Sequence, residues 1–501
     1  MALKINFNPE ATVTHTALLQ NERAMNKSLL RISTGQRILS AADDAAGLFI
    51  ADQLNVVASA LEQGNRNVQT GISALQIAEA NVGQIFDKLR AIYTKAQSAA
   101  NDINDPNARL ALQRDILNLV DFIQRLGTDT EYNGIKLLDG TFANRVIHYG
   151  ARADQTVTVG INSVRAQDLG AYMILGRMTT NFSTTAGYLT GASATNTNFR
   201  FDTNDRAIVA GINVATGLDV VDAKTIANNI NSNTTLQNLG ITAKAVNVST
   251  ARDAWTNIAP GTGQTATIRF FYGPSTTAAF FTTVGANQVL TLQDMVTYIN
   301  TQASARSLNL TARAQDGRLV LETQGETIGI EVTVSANVTV NLGQFMNVSG
   351  TVSATGSAIQ VGKLTISGPE SYSYDFTNIS NTRQGLGIVP PTGDATMNNL
   401  YSLNVLTNEN AELALDIVNT ALRRVDTIRT QIGSVINNLQ AIWDGQKAAY
   451  DNTKEAESII RNTDFAEEMS TFTTMQIRMQ AGMAMLAQAN ALPQLVLQLL
   501  R

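Results

Sequence analysis

The chain has 501 residues, enough for several domains and a sizeable core, with 36 Lys and Arg against 41 Asp and Glu and a formal net charge of −5. This mildly acidic balance argues against a nucleic-acid binder. Cysteine is absent, which excludes disulfides, thiolate metal sites and a cysteine nucleophile, and the two histidines, His15 and His148, stand in no motif, so no cofactor or metal is expected.

The segment MALKINFNPE has no apolar core of signal-peptide length, and no run approaches the ~18 apolar residues of a membrane span. The first periodic stretch carries Leu18, Met25, Leu29, Ile32 and Leu39 at spacings of three, four and seven. It leads into RISTGQRILSAADDAAGL, Arg31 to Leu48, where Asp43 and Asp44 raise the question of a general acid and base. Adjacent residues on a helix point about 100° apart, so these carboxylates cannot readily share one proton or one water. A joint between helices fits better. Ser33, Thr34 and Gly35 loosen the first helix, Ser40 is expected to cap the next segment, and Asp43 and Asp44 sit near the start of the following helix, where negative charge is favoured. The small residues around Gly47 allow close approach of neighbours, and the carboxylates are expected to meet arginines such as Arg31 or Arg37 of an adjacent copy.

A heptad line follows through Leu54, Leu61, Val68, Leu75, Val82, Leu89 and Ala96. Its companion line is Ala58, Ile72 and Phe86, interrupted by Asn65 and Glu79. A helix from 44 to 100 would run roughly 85 Å at ~1.5 Å per residue. Asp105-Pro106 supplies an N-cap and a first-turn proline for another helix with Leu112, Ile116, Leu119 and Ile123 on its apolar face. TEYNGIKLLDGTF contains Asn133-Gly134 and Asp139-Gly140, which predict a β-hairpin at about 132–147.

From about 176 to 400 the composition turns to Thr, Ser, Asn, Gly and Val, the signature of a β-rich region. Within it, INSNTTLQNLGITAKA (230–245) matches INTQASARSLNLTARA (299–314) at an offset of 69 residues. Each copy follows a short helical stretch, KTIANNIN or LQDMVTYIN, and DGRLVLET adds a turn and strand after the second. Two related α+β modules are predicted. Catalytic patterns here are near misses. GSAIQVGKL (356–364) separates its glycines by five residues instead of four and ends in Leu364 where a phosphate loop needs Ser or Thr. GTGQTA at Gly261 lacks a lysine, and neither HExxH nor a nucleophile elbow occurs. The chain is therefore expected not to be an enzyme.

Helical periodicity returns with Val418, Val425, Ile432 and Leu439 every seven residues, beside Leu422, Ile436 and Trp443, with Arg429 breaking the second line. Phe465, Met469, Phe472, Met479, Met483 and Leu486 continue the pattern. The two ends, some 400 residues apart, are expected to pair with each other or with copies of themselves.

Three stretches carry a family resemblance. LLRISTGQRILSAADDAAGLFIADQL (29–54) closely resembles the N-terminal signature of bacterial flagellins, and TEYNGIKLLDG (130–140) resembles the hairpin that follows it. AESIIRNTDFAEEMSTFTTMQIRMQAGMAMLAQAN (456–490) resembles the flagellin C-terminal helix, with Met where many members have Leu or Val. The resemblance covers roughly residues 1–170 and 405–501.

It implies a multidomain α + β fold, in which a long antiparallel helical coiled coil or bundle from both termini carries a β-hairpin and variable β-rich (α+β) outer modules. Residues 1–43 and 454–501 would form an inner core, 44–175 and 401–453 an outer helical tube, and 176–400 a surface-exposed region. The self-assembly core would comprise Leu18, Met25, Leu29, Ile32, Leu39, Phe465, Met469, Phe472, Met479, Met483 and Leu486. Arg31, Gly35, Arg37, Asp43, Asp44 and Gly47 would connect the layers. The terminal segments 1–42 and 455–501 are expected to order on assembly.

The function so implied is that of a filament subunit that homo-polymerises for swimming motility. It would be extracellular after export through the flagellar type III channel without a cleaved signal. An export chaperone would shield Phe465–Leu500, and the filament cap and the hook-filament junction proteins would be further partners. Innate-receptor recognition in this family uses a segment read Leu-Gln-Arg-x-Arg-Glu-Leu-Ala. This chain reads Leu89-Arg90-Ala91-Ile92-Tyr93-Thr94-Lys95-Ala96, with Asp115 where Glu is usual, so weak receptor recognition is expected. The rival readings are a hook-filament junction protein, a secreted adhesin with helical stalks, and a flagellin with an embedded peptidase, against which the lack of HExxH speaks.

Overall fold

The computed structural model describes residues 8–184, 201, 205–379 and 385–499. The first seven residues of the expected inner segment, and residues 500–501 of its C-terminal counterpart, lie outside the described residues.

Three helices open the chain, α1 (Pro9–Thr34), α2 (Ala45–Ala99) and α3 (Pro106–Asp129). Two hairpins follow, β1 (Glu131–Tyr132) with β2 (Ile135–Lys136) and β3 (Arg145–His148) with β4 (Thr156–Val159). The middle begins with β5 (Gly170–Leu175), β6 (Thr179–Ser183), β7 (Ile208–Val209) and β8 (Ile212–Asn213). Next come α4 (Ala223–Ser232), α5 (Thr234–Asn238), β9 (Thr242–Thr250), β10 (Ala266–Tyr272), β11 (Ala278–Val284) and α6 (Leu292–Ala305). It continues through β12 (Leu310–Gln315), β13 (Arg318–Thr323), β14 (Ile328–Val334), β15 (Val340–Asn341), β16 (Thr351–Val352) and β17 (Thr355–Val361). After β18 (Lys363–Gly368), β19 (Ser373–Asp375), β20 (Thr392–Asp394) and β21 (Thr396–Asn399), the chain ends in α7 (Asn408–Arg461) and α8 (Phe465–Leu499). This is the mixed α and β fold expected from the sequence. The chain divides into two compact bodies, one of residues 1–79, 142–161 and 431–501, the other of 80–141 and 162–430, and α2 and α7 contribute to both.

In the first body α1 packs on α8, and the β3–β4 hairpin lies on α2. Gly64 of α2 is pressed against the Tyr149 carbonyl, and the Asn67 amide donates to the His148 carbonyl at 3.1 Å. The N-terminal part of α2 meets the C-terminal part of α7, with Lys454 Nζ donating to Asn55 at 2.9 Å and Arg461 facing Asp52 at 3.3 Å.

In the second body the predicted cap of α3 forms, with Asp105 accepting from the Ala108 N–H at 2.6 Å ahead of Pro106. The predicted heptad line of α2 is buried from Leu61 through Ala96, as are Val418, Val425, Ile432 and Leu439 of α7. The companion line of α2 differs from expectation. Beyond Leu75 it falls three residues on instead of four, at Ala78, Ile85, Ile92 and Ala99, all fully buried. Phe86 is only half-buried, with the Arg429 guanidinium 5.5 Å over its ring. Positions three and four residues on flank the same stripe, so the packing partner decides which is covered.

The hairpin expected at 132–147 is shorter. Asn133 and Gly134 take the left-handed conformations of a tight turn, at φ 51° and 75°, and β2 ends at Lys136. Asp139 instead accepts the Thr141 N–H and hydroxyl, which closes a local side-chain turn with no returning strand. The β3–β4 ladder lies farther on.

Two larger antiparallel sheets lead the middle region, one in the order β12-β13-β9-β18-β5-β21 and one in the order β11-β10-β14-β17-β6, with a four-stranded sheet β20-β19-β7-β8 and the β15–β16 pair beside them. The chain enters through β5 and returns through β21, which pair with Gly170 opposite Asn399, and a side chain at 170 would stand 2.1 Å from the Asn398 carbonyl. The phosphate-loop near miss is split between β17 and β18, where Gly356 and Leu364 are buried in different sheets.

The 69-residue repeat has a chemical counterpart. The helix caps Asp222 and Thr291 hold the N–H groups of Thr225 and Asp294. Ile226, Ala227 and Ile230 of α4 correspond to Met295, Val296 and Ile299 of α6, all buried in two separate cores. Asn231 clamps both the N–H and the carbonyl of Ala243 at 2.9 and 2.7 Å, and Asn300 does the same to Ala312 at 2.8 and 2.9 Å. Each module thus fastens one helix to one strand through a single amide side chain.

Candidate assembly surfaces

The α1–α8 pair is antiparallel. On α1 the half-buried or buried line is Ala11, Thr14, Leu18, Asn21, Met25, Ser28 and Ile32, and on α8 it is Glu468, Phe472, Met475, Met479, Gly482, Leu486 and Ala489. Both lines alternate three and four residues, the spacing of a coiled-coil seam. The seam is narrow and partly polar. Asn21 donates to the Met475 carbonyl at 2.8 Å, Asn8 to that of Ala489 at 2.9 Å and Ser28 to that of Glu468 at 3.4 Å. A Cβ at Gly482 would stand 2.9 Å from the Leu18 methyl, so the missing side chain is the hole that Leu18 fills.

Of the residues expected in the self-assembly core, Leu18, Met25, Ile32, Phe472, Met479 and Leu486 lie on this seam. Leu29, Phe465, Met469 and Met483 point away from it and are exposed, beside Val13, Leu19, Leu30, Ile477 and Met485. Leu39 lies beyond α1 and is half-buried. Apolar periodicity alone missed Asn21, Ser28 and Gly482. Their signal is positional, since they complete the three-four spacing between apolar seam residues.

The connector, residues 35–44, is tightly determined. Gly35 ends α1 in the left-handed conformation at φ 71°, its N–H on the Arg31 carbonyl at 2.8 Å. The chain then runs antiparallel to the α7–α8 joint. Gln36 bridges Asn462, and the Arg37 N–H donates to the Arg461 carbonyl at 2.7 Å. The Arg37 guanidinium donates to the Ile460 carbonyl at 2.8 Å, and Arg31 faces Glu468 at 3.7 Å. Within the chain, then, neither arginine meets Asp43. Its partner is Lys27 of α1 at 2.5 Å, and it also accepts the N–H groups of Leu39 and Ser40 at 3.1 and 3.2 Å. The Lys27 ammonium, followed by these backbone donors, holds the Asp43 carboxyl down to about 2 from its ordinary 3.8.

Asp44, not Ser40, caps α2, accepting the Gly47 N–H at 2.9 Å. The helix begins at Ala45, which leaves Ser40 too far upstream to reach its free N–H groups. Gly47 lies at a close approach, where a Cβ would sit 2.9 Å from the Ile38 methyl and closer still to the Asp44 carboxylate, so both side chains would have to give way. The carboxylate pair is thus divided between an ion pair and a helix cap, with no shared acid–base geometry.

At the receptor-equivalent segment Leu89 is fully buried and Ala91 half-buried. Lys95 on α2 pairs with Asp115 on α3 at 2.7 Å, so two departures from the family pattern are each other's partner. Among the described residues no group of three His, Cys, Asp or Glu is placed to hold a metal, and no helix is long and apolar enough to cross a membrane.

Known proteins match this sequence. The model of the bacterial flagellin N-terminal helical region matches residues 5–143, and that of the C-terminal helical region matches 415–500. The chain is 54% identical to the flagellin of Aquifex pyrophilus over 511 residues and 51% identical to that of Aquifex aeolicus (strain VF5) over 533, with all of both chains covered each time. A solved structure of FliC from Burkholderia pseudomallei is similar at 14% identity and a TM-score of 0.30, over 74% of this chain and 99% of that one. Full-length identity above one half, with both terminal helical regions matched, places this chain in the bacterial flagellin family.

Proposed function

We propose that this chain works as the major, self-assembling subunit of the bacterial flagellar filament, a structural protein for swimming, and that α1 and α8 carry its subunit contacts. One observation supports the second part. The two helices use only a narrow seam on each other, and α8 keeps Phe465, Met469, Ile477, Met483 and Met485 exposed while α1 keeps Val13, Leu19, Leu29 and Leu30. Exposed apolar side chains in this number, on several sides of α8, mark an interaction surface. Fully burying each such side chain is worth ~1.5–3 kcal/mol, enough in sum to offset the ordering of segments that are marginal alone.

In this reading residues 1–43 and 454–501 form the filament's inner layer, 44–175 and 401–453 its outer tube, and 176–400 its surface modules. The connector of Arg31, Gly35, Arg37, Asp43, Asp44 and Gly47 sets the angle between layers. The filament is extracellular; export without a cleaved signal and an export chaperone on the Phe465–Leu500 face follow from the same reading. The cap and the hook-filament junction proteins meet the polymer's ends. With Ala91 and the Lys95–Asp115 pair in place of the usual side chains, innate-receptor recognition is weak.

Salt-induced polymerisation of the purified chain at neutral pH, viewed by electron microscopy, tests this. Long tubes are expected from the full chain and none after deletion of 460–501. Tubes from the deleted chain would refute the assignment of α8, and a full chain that never polymerises alone would point to the junction-protein reading.

A further inference from the structure

We propose that the sheet region carries a binding cleft for a neutral carbohydrate of mono- to disaccharide size, built around Gln344. The inference goes beyond the filament reading and does not depend on it, because every residue lining the cleft lies between 256 and 351.

The cleft encloses about 420 Å³, within the range of small-molecule sites. One wall is the segment 256–259 ahead of β10, the other runs from Asn337 through β15, and Gln264, Gln344 and Thr351 complete the lining. Both walls are pinned. Ile258 and Leu290 exchange N–H to carbonyl bonds at 3.2 and 2.9 Å. Asn341 accepts the Gly343 N–H and donates to Asp253, each at 2.9 Å. Gln264 accepts the Gly261 N–H at 2.9 Å and donates to the Ala336 carbonyl at 3.2 Å. The shape is therefore set before a ligand arrives, which lowers the ordering cost of binding.

Gln344 is the unusual residue. It is 1% exposed, and its Oε1 accepts the Thr256 N–H at 3.2 Å. That bond fixes the amide and leaves its Nε2 at the cleft wall without a protein acceptor. Buried amide N–H groups are ordinarily satisfied, so this donor calls for an acceptor from outside the chain. Around the mouth Asn257, Asn337, Thr339 and Thr351 are exposed, with side chains that bond nothing in the chain. No lining residue is charged. An anionic ligand would lose its hydration with no cation to replace it, and a wholly apolar one would strand these amides. Amides and hydroxyls each supply a donor and an acceptor, the set that the hydroxyl groups of a neutral sugar complete. Ile258 and Val338, also in the lining, give its C–H groups apolar ground.

Saturation-transfer difference NMR on the full-length chain tests this, with maltose, lactose, cellobiose and N,N′-diacetylchitobiose as probes. At least one should receive saturation, with a Kd on the order of 1 mM. Digalacturonic acid and capped tri-alanine at the same concentration should not. Asn257→Ala/Thr339→Ala removes exposed side chains that hold nothing in the fold, and Gln344→Met removes the buried donor at similar length. Each should weaken sugar binding at least about fivefold, the usual worth of a lost hydrogen bond, with thermal unfolding confirming a folded chain. No transfer to any of the sugars, equal transfer to digalacturonic acid or to the peptide, or wild-type binding by the Asn257→Ala/Thr339→Ala chain overturns the proposal.

Discussion

Gly64 and Gly83 lie on the same helix, and the same substitution is expected to have opposite signs at the two positions. Alanine normally favours a helix interior by ~1 kcal/mol over glycine, because it restricts the unfolded chain and adds no strain. At Gly83 nothing lies within 4 Å of an added Cβ, so Gly83→Ala should stabilise the subunit by about 0.5–1 kcal/mol. At Gly64 the Cβ would stand 1.9 Å from the Tyr149 carbonyl oxygen and 2.6 Å from its carbon. These are backbone atoms with no rotamer to yield, and the hairpin end is held on both sides. The Tyr149 N–H donates to the Gln155 carbonyl at 3.1 Å, and the His148 carbonyl accepts from Asn67. Displacing it carries an overpacking penalty of ~1–3 kcal/mol and strains a hydrogen bond worth ~1 kcal/mol. After the propensity gain is subtracted, Gly64→Ala should lose about 1–3 kcal/mol. Urea unfolding of the free subunit, followed by far-UV circular dichroism and by Trp443 fluorescence in a Trp255→Phe background, gives both signs. A Gly64→Ala midpoint at or above wild type would refute the packing of β3–β4 on α2.

Three further outcomes are expected. Asn300→Ala frees both backbone groups of the buried Ala312 and should cost about 2 kcal/mol, against about 1 for Asn231→Ala at the half-buried Ala243; no loss from either in thermal unfolding would contradict the shared-clamp account. Asp43 has a folded-state value below its ordinary 3.8, so its stabilisation of the connector is present above that pH and is lost as pH falls toward about 2. Carboxyl NMR of Asp43 should give a midpoint near 2 that moves up toward 3.8 in Lys27→Ala, and a wild-type midpoint already at 3.8 would remove Lys27 as the cause. The chain should activate an innate-receptor reporter cell only weakly, and a full response at ordinary flagellin doses would show that Ala91 and the Lys95–Asp115 pair do not impair recognition.

Where one face of an element is apolar and the other polar, the sequence was a sufficient guide. The main heptad line of α2, the cap of α3 and the paired modules could all be read, because a fixed period, an Asp-Pro step and a 69-residue offset each have one physical interpretation. The α1–α8 seam could not. α8 is apolar on several sides, so its periodicity does not say which side meets α1. The seam also runs through Asn21, Ser28 and Gly482, chosen for hydrogen bonds and close approach instead of hydrophobicity. The connector was legible as a joint, yet its ion pair depends on Lys27, which lies sixteen positions from Asp43 and is brought to it only by the turn that follows Gly35.

The β5–β21 ladder gives the middle of the chain a single doorway. Outgoing and returning strands pass side by side, about 5 Å apart at Gly170 and Asn399. From the helices' side, whatever lies beyond is a loop whose two ends already touch, and the entropic cost of closing it grows only slowly with its length. A cassette of one module, three modules or a short turn fitted to the same two strands would replace β18 on the other side of β5 and the Lys244–Glu412 and Lys363–Glu409 pairs to α7, and leave the rest of the helices as they are. If residues 176–400 face outward as proposed, the surface of the polymer is free to diversify by exchange of whole parts, while the helices are held to one pattern.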